Sequence, residues 1–438
     1  MRVIPARTER LTRFDYETKL ASLAADAPSW PPRTDALAQI SLELELDRHA
    51  GISRSLGSRR IRLDILDYPG EWLLDLPMLT QTYAEWSAQV METLATPPRD
   101  ACAKKFLDFV ATLRTDGPAE DSLLHKGHLL YREAIHACQE QFGLRYLQPG
   151  RFLRPGPQGD APFLWFFPVP PGRDIAKPGS AGVLLAERFE AYKREVREQF
   201  FDSHFKNFNR QVLLVDVLGA LHGGRAAFED TQNAIAHLAR GLNDGWGFWS
   251  HRRRRELAGH IDRGADIAAR SAASRSSNPL ASAAVGVAGK VLAAVTAPSP
   301  IERVAFVATK GDHVPALARD NLEHLLRALV DPAAKSSQEA SAQVSFHVAA
   351  SIRSTEEGTA KLDGQTVEVV RGTVLGEAVV RPFHVGAVPS QIPQPSFWSD
   401  RYFEMPVFRP PSIDPSGNHG IPHLGLDDVL VAVIGDLL

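Results

Sequence analysis

Val304-Ala305-Phe306-Val307-Ala308 is an unbroken apolar run, and Val212-Leu213-Leu214-Val215 is a second. A strand that is apolar on both faces must be covered on both faces, as a central strand of a parallel sheet is. Each run is followed by a helical stripe. Leu322, Leu325, Leu326 and Leu329 fall at i, i+3, i+4 and i+7 after the Val304 run, and Phe228, Ile235, Leu238 and Leu242 form a similar face after the Val212 run. Strand alternating with helix points to a doubly wound α/β sheet, with Val344 to Ala350 as a weaker third strand.

Other segments follow a different rhythm. Ile40 to Leu46 and Ile61 to Ile65 alternate with period two, as expected for an antiparallel pair at a sheet edge, with residues 50–58 as the loop between them. Residues 72–206 lie between two core strands and read as mostly helical: Leu73 to Met91, Ala103 to Arg114, Lys126 to Phe142 and Leu184 to Phe201. That length exceeds any crossover and implies an inserted helical subdomain. A second insertion, basic and Ala/Gly-rich, spans 245–300. Leu362-Asp363-Gly364-Gln365 then reads as a tight hairpin, followed by small strands to about Val385, proline-rich coil and a final helix from Asp427 to Leu438. The expected division is a core of 1–71, 207–244 and 301–355, the insertions 72–206 and 245–300, and a small β appendage with the C-terminal helix at 356–438.

Composition narrows the function classes. A formal charge of −3 over 438 residues gives no general attraction to nucleic acid or anionic membrane. Cys102 and Cys138 have no metal-ligand spacing, which suits a reducing cytosol and argues against a disulfide scaffold. Met1-Arg2-Val3-Ile4-Pro5 has no apolar stretch of the kind that directs secretion. Asn278 to Ala297 has Lys290 as its single charge, but its Ala/Gly/Ser content is too weakly hydrophobic for a membrane span. The Arg252 to Arg255 run reads as a solvated helix face, with an acidic partner or anionic headgroups as the sharper alternative.

Two turns carry the chemistry. Asp67-Tyr68-Pro69-Gly70 closes the Ile61 strand with D-x-x-G spacing. In nucleoside-triphosphate switches such an Asp holds Mg²⁺, usually through water, and the Gly N–H touches the γ-phosphate. Ordinary turns also favour Asp and Gly, so the pattern alone is weak. Glu71 follows, where many GTPases place the residue that orients the attacking water; it is the catalytic candidate, although its charge would lie near an anionic phosphate. The second turn, Thr309-Lys310-Gly311-Asp312, ends the buried Val304 strand and matches T-K-x-D. An Asp there accepts two hydrogen bonds from guanine, a pair adenine does not offer, so the wrong base leaves a buried acceptor unpaired. The Lys310 stem suits the base plane, Thr309 is shorter than the usual Asn, and Ala349-Ala350-Ser351 stands where backbone N–H groups meet guanine O6. Thr34, just before the Ile40 strand, is placed for a switch threonine that reaches Mg²⁺ and the γ-phosphate. Asp216 reads as a turn cap, and Arg151 and Arg188 as ordinary ion pairs rather than arginine fingers. The sequence contains no G-x-x-x-x-G-K-[ST]; Ala284 to Lys290 comes near, but Val291 follows where a hydroxyl is needed.

The strings Asp67 to Met78, Gln148 to Phe152, Phe166 to Pro168, Arg210 to Asp216 and Ala308 to Val314 resemble the YcjX-like family of bacterial P-loop nucleotide-binding proteins. The resemblance implies a Ras-like GTPase core with a helical insertion, GTP or GDP as ligand with Mg²⁺, a stress-response role and a cytoplasmic location peripheral to the inner membrane through an inner-membrane protein partner. Nucleic acid is not implied. It also implies a phosphate loop on a first strand, whereas Arg2 to Pro5 resembles a point inside the family pattern. The expectation is therefore that the first strand and its loop precede this sequence, that nucleotide binding is weak or absent without them, and that buried strands are left with unpaired backbone groups. The alternatives are an ATPase of the same family, or a degenerate, non-enzymatic GTPase that binds a membrane-associated partner.

Overall fold

In the computed structural model the described residues are 2–5, 11–34, 36–46, 58–156, 159, 161–198, 208–243, 301–339, 342–399, 405–414, 416 and 420–438. The loop over 50–57 and the 245–300 insertion, with its arginine run and its apolar stretch, lie outside them.

The unbroken apolar run is the middle strand of a parallel sheet. Strands β5 (Arg210–Val215), β6 (Arg303–Ala308) and β7 (Gln343–Val348) pair in the order β5-β6-β7, with Val212 opposite Ala305 and Leu214 opposite Val307 (strands and helices are numbered in chain order). Val304 to Ala308 are all buried, and successive side chains enter opposite layers. Val304, Phe306 and Ala308 pack with α8 (Gly224–Asn243) and α9 (Ala316–Glu339), where Leu322, Leu325, Leu326 and Leu329 form the buried stripe that their spacing predicts. Ala305 and Val307 pack against Val429, Val433 and Ile434 of α10 (Leu426–Ile434).

The second apolar run behaves differently. Leu213 and Val215 pack into the α8–α9 layer, but Val212 is 40% and Leu214 69% exposed. Among the described residues β5 pairs with β6 alone, so it ends its sheet rather than sitting centrally as its composition predicts.

A separate four-stranded sheet holds the alternating segments. β3 (Ala38–Leu46) and β4 (Arg59–Asp67) are antiparallel from Ala38 opposite Asp67 to Leu46 opposite Arg59. β1 (Arg2–Ile4) and β2 (Thr12–Arg13) pair with the other side of β3. Leu44 and Leu63 reach the α10 layer, so both sheets share that helix.

The region between β4 and β5 is helical: α2 (Tyr83–Leu94), α3 (Arg99–Thr112), α4 (Asp121–Phe142), the single turn α5 (Gly150–Leu153) and α6 (Ala181–Val196). They enclose an aromatic core in which Trp86 stacks on Phe189 at 5.1 Å and meets Phe166 edge-on at 5.4 Å. The helix expected from Leu73 is instead two 3₁₀ turns, Gly70–Asp75 and Pro77–Thr80, before α2 starts. Pro77 lacks the N–H that a continuous helix needs, and a reciprocal Thr82–Glu85 capping box nucleates α2 afresh.

α7 (Val217–His222) links β5 to α8. Beyond β7, strands β8 (Thr355–Leu362), β9 (Gln365–Thr373) and β10 (Val380–Phe383) form an antiparallel sheet in the order β10-β9-β8. Asp363 and Gly364 both have positive φ, as an Asp-Gly hairpin turn requires. Among the described residues no helix is long and apolar enough to cross a membrane.

Candidate functional site

Asp67 ends β4, and its carboxylate Oδ2 accepts a hydrogen bond from the Thr34 hydroxyl at 2.7 Å. Two residues 33 positions apart, singled out separately in sequence, are thus in contact. Gly70 opens the first 3₁₀ turn and Glu71 follows, half-buried. Both border a largely apolar cavity of about 440 Å³ between that turn, β5 and α8. Among the described residues the Glu71 carboxylate has no hydrogen-bond or ion-pair partner.

A second cavity, about 510 Å³, collects the other candidates. Thr309, Lys310, Asp312, Ala350 and Ser351 all line it. Asp312 is 3% exposed, and its Oδ2 accepts from Ser354 N at 2.7 Å and Ser354 Oγ at 2.9 Å. The Thr355 hydroxyl donates to the Asp312 carbonyl. These donors fix the carboxylate's orientation and make a buried charge tolerable. Among the described residues Oδ1 has no hydrogen-bond partner, and His313 Nε2 lies 4.0 Å from it. Burial lowers the His313 pKa below its usual value, against the opposing pull of Asp312.

The backbone around Ala350 is partly committed. Ala350 N–H donates to Leu424 O at 2.9 Å, and Leu424 N–H returns a bond to Ala350 O. The Ala350 donor expected to face a ligand is therefore taken by the segment leading into α10. Ser351 lines the cavity, and its N–H has no partner among the described residues.

Lys310 has φ 61°, a left-handed conformation that costs a non-glycine residue free energy and is retained where surrounding contacts enforce it. Its Nζ lies 2.8 Å from Asp216 Oδ2, while Asp216 Oδ1 accepts from Gly219 N at 2.9 Å. Asp216 is thus the turn cap expected of it and also an anchor for Lys310. Burial alone would raise its pKa; the Lys310 ammonium, with the Gly219 N–H and Arg145, more than offsets this, and the carboxyl titrates below its usual range.

Arg33 and Leu214 line both cavities, which are therefore contiguous. The Trp30 indole N–H donates to Phe408 O at 2.7 Å, tying the threonine loop to residues 405–408 on the far wall of the second cavity. Phe408 is held in turn by His313 edge-on at 4.9 Å and by hydrogen bonds from its neighbours to β9 and beyond, Arg409 N to Thr373 O and Leu375 N to Val407 O. Arg188 pairs with Asp121, and Arg151 lies over the Trp72 ring at 4.4 Å, so neither points to a cavity.

Sequence reasoning missed Ser354, Trp30 and the Lys310 partnership of Asp216. Ser354 stands 42 residues from Asp312, and no spacing rule links them.

The molecule is an α/β protein whose two strand-end turns open onto adjoining cavities; a hydroxyl–carboxylate pair stands at the end of one strand, and a clamped buried carboxylate lines the cavity at the end of the other. The chain belongs to the YcjX-like family (DUF463), whose model matches residues 1–272 and 277–438. It is 31% identical to the Ras-like GTPase YcjX of Escherichia coli, over 99% of this chain and 85% of that protein. It is 30% identical to the Ras-like GTPase YcjX of Shewanella oneidensis, over 98% of this chain and 81% of that protein.

Proposed function

We propose that this chain is a Ras-like guanine-nucleotide-binding protein and a GTPase, its affinity lowered because the sequence contains no G-x-x-x-x-G-K-[ST] loop to cradle the phosphates. The observation that carries the reading is the gathering of Thr309, Lys310, Asp312, Ala350 and Ser351 around one cavity, with the Asp312 carboxylate held by Ser354. One carboxylate oxygen is occupied by Ser354; the other is the acceptor for the guanine N–H groups. In this reading Lys310 lies along the base, Ser351 N–H meets guanine O6, and Asp67, Gly70 and Thr34 face the phosphates. Glu71 is the candidate for positioning water.

The contact between Thr34 and Asp67 places two oxygen donors side by side. That suits Mg²⁺, which takes one or two protein oxygens and fills its remaining positions with water and phosphate oxygens. The two sheets are read as halves of one P-loop NTPase sheet. β4 and β5 each present an edge without a partner among the described residues. Helices α2 to α6 are the inserted subdomain and β8 to β10 the appendage. The reading includes a cytoplasmic location, a stress role and an inner-membrane protein partner.

Calorimetric titration with GDP, GTP, ADP and ATP in the presence of Mg²⁺ tests it. Guanine nucleotides are expected to bind at least about a hundredfold tighter than adenine ones, since a site built on hydrogen bonds rejects a base that leaves its acceptor unpaired. Equal affinity for the two bases, or a preference for ATP, would sink the proposal.

A further inference from the structure

Asp75 closes the 3₁₀ turn that starts at Gly70 and is 1% exposed. Its Oδ1 accepts from Gly150 N at 2.6 Å, and its Oδ2 accepts from Arg151 N at 3.2 Å and from the Tyr192 hydroxyl at 2.5 Å. All three donors belong to the helical layer. Further links run alongside: Gln148 Nε2 donates to Leu74 O at 2.5 Å, and the Trp72 indole donates to Arg154 O at 2.8 Å. Gly150 lies so close to the Glu71 carbonyl that a Cβ there would collide with it.

The strap 145–154 is gripped from its other side as well. Asp230 of α8 pairs with Arg99 and accepts from the backbone N–H groups of Arg145 and Tyr146. His237, also on α8, is within hydrogen-bond reach of the Tyr146 hydroxyl at 3.1 Å and of Gln148 at 3.3 Å. The strap is therefore wedged between the turn that carries Gly70 and Glu71 and the helix that covers β5.

We propose that Asp75 is a positioning residue that makes the Gly70–Leu76 turn and strap 145–154 one rigid unit, so that a ligand at Gly70 and Glu71 is felt by the helical layer. A buried carboxylate is a costly way to hold two elements together, and an apolar contact of the same size would do so at less expense. What the carboxylate adds is direction: three donors from two helices fix the turn at one angle. The rigid unit stands on the geometry alone; the ligand response rests on the guanine-nucleotide reading.

Hydrogen exchange of the intact chain tests both parts. Without nucleotide, Asp75→Asn is expected to speed exchange about tenfold in peptides from both 70–80 and 145–154, leaving β6 and α9 peptides unchanged. Tyr192→Phe removes one donor and should give the same pattern more weakly, which keeps the test valid if the Asp75 variant fails to fold. Faster exchange on one side only, or on neither, overturns the rigid unit. With Mg²⁺ and a non-hydrolysable GTP analogue, the parent protein is expected to change its exchange at 145–154 relative to GDP. The Asp75→Asn protein should bind the analogue equally well and show no such change. Bound analogue without any change at 145–154 in the parent overturns the ligand response. Absence of binding in the parent overturns the nucleotide reading instead, and the nucleotide-free comparison still decides the rigid unit.

Discussion

Asp312 and Asp75 are both buried carboxylates, and their surroundings set them to different tasks. Asp312 keeps one oxygen for its cavity because Ser354 satisfies the other. Replacing Asp312 by Ala should lower guanine-nucleotide affinity at least about tenfold and leave adenine binding unchanged, as calorimetry would read. It should also cost about 1–3 kcal/mol of stability, because Ser354 N–H loses its acceptor. Asp75 has all its oxygens engaged inside the protein, and burial pushes its pKa up to about 6 from 3.8, against the Tyr192 hydroxyl and the Arg151 guanidinium. The folded state therefore holds this proton more tightly than the unfolded chain does. The ionisation penalty is absent below about pH 4, grows as pH rises and is complete above about pH 6. Asp75→Asn cannot ionise, so its stability deficit relative to the parent should be larger at about pH 4.5 than at about pH 7.5 in urea melts. A deficit that grows with pH contradicts the assignment.

At the scale of elements, the strand-end turns were legible because their chemistry is local. Asp67 with Gly70 and Lys310 with Asp312 need only a strand, a turn and a short spacing. The Asp363-Gly364 hairpin and the α9 stripe were legible for the same reason, since i+1 and i+4 relations are written along the chain. Illegible were the pairings that join elements: Ser354 with Asp312, Asp216 with Lys310, Trp30 with Phe408, Ala350 with Leu424. Two element-level outcomes follow. Gly150→Ala forces a Cβ into the Glu71 carbonyl and should cost about 1–3 kcal/mol by chemical denaturation, as overpacking does. Trp30→Phe keeps the ring but removes the N–H, leaving Phe408 O without its donor. It should loosen residues 405–408 in hydrogen exchange while the β5-β6-β7 sheet stays protected.

For the whole molecule, the contrast between β5 and β6 is the measurable consequence of the architecture. Both strands carry an unbroken apolar run, but β6 is enclosed between α9 and α10 while β5 ends its sheet among the described residues. Phe306→Ala should therefore cost about 3–5 kcal/mol in urea unfolding. Leu214→Asp, at 69% exposure, should stay within about 0.5 kcal/mol of the parent and reduce self-association in light scattering.

The sequence by itself determined the α/β class, the family, the helical character of the segment between β4 and β5 and the two motif-bearing turns. Periodicity, proline and glycine placement and short motifs are local, and they hold wherever tertiary contacts do not override them. The tertiary structure alone decided that Ser354 clamps Asp312 and that Trp30 ties the threonine loop to the wall of the cavity lined by the T-K-x-D turn and the Ala349–Ser351 segment. It also decided that β5 pairs only with β6 among the described residues, and that Asp75 fastens the D-x-x-G turn to the helical layer. Those outcomes depend on which distant backbone donors and acceptors meet once each buried polar group has found a partner. No spacing along the chain records that.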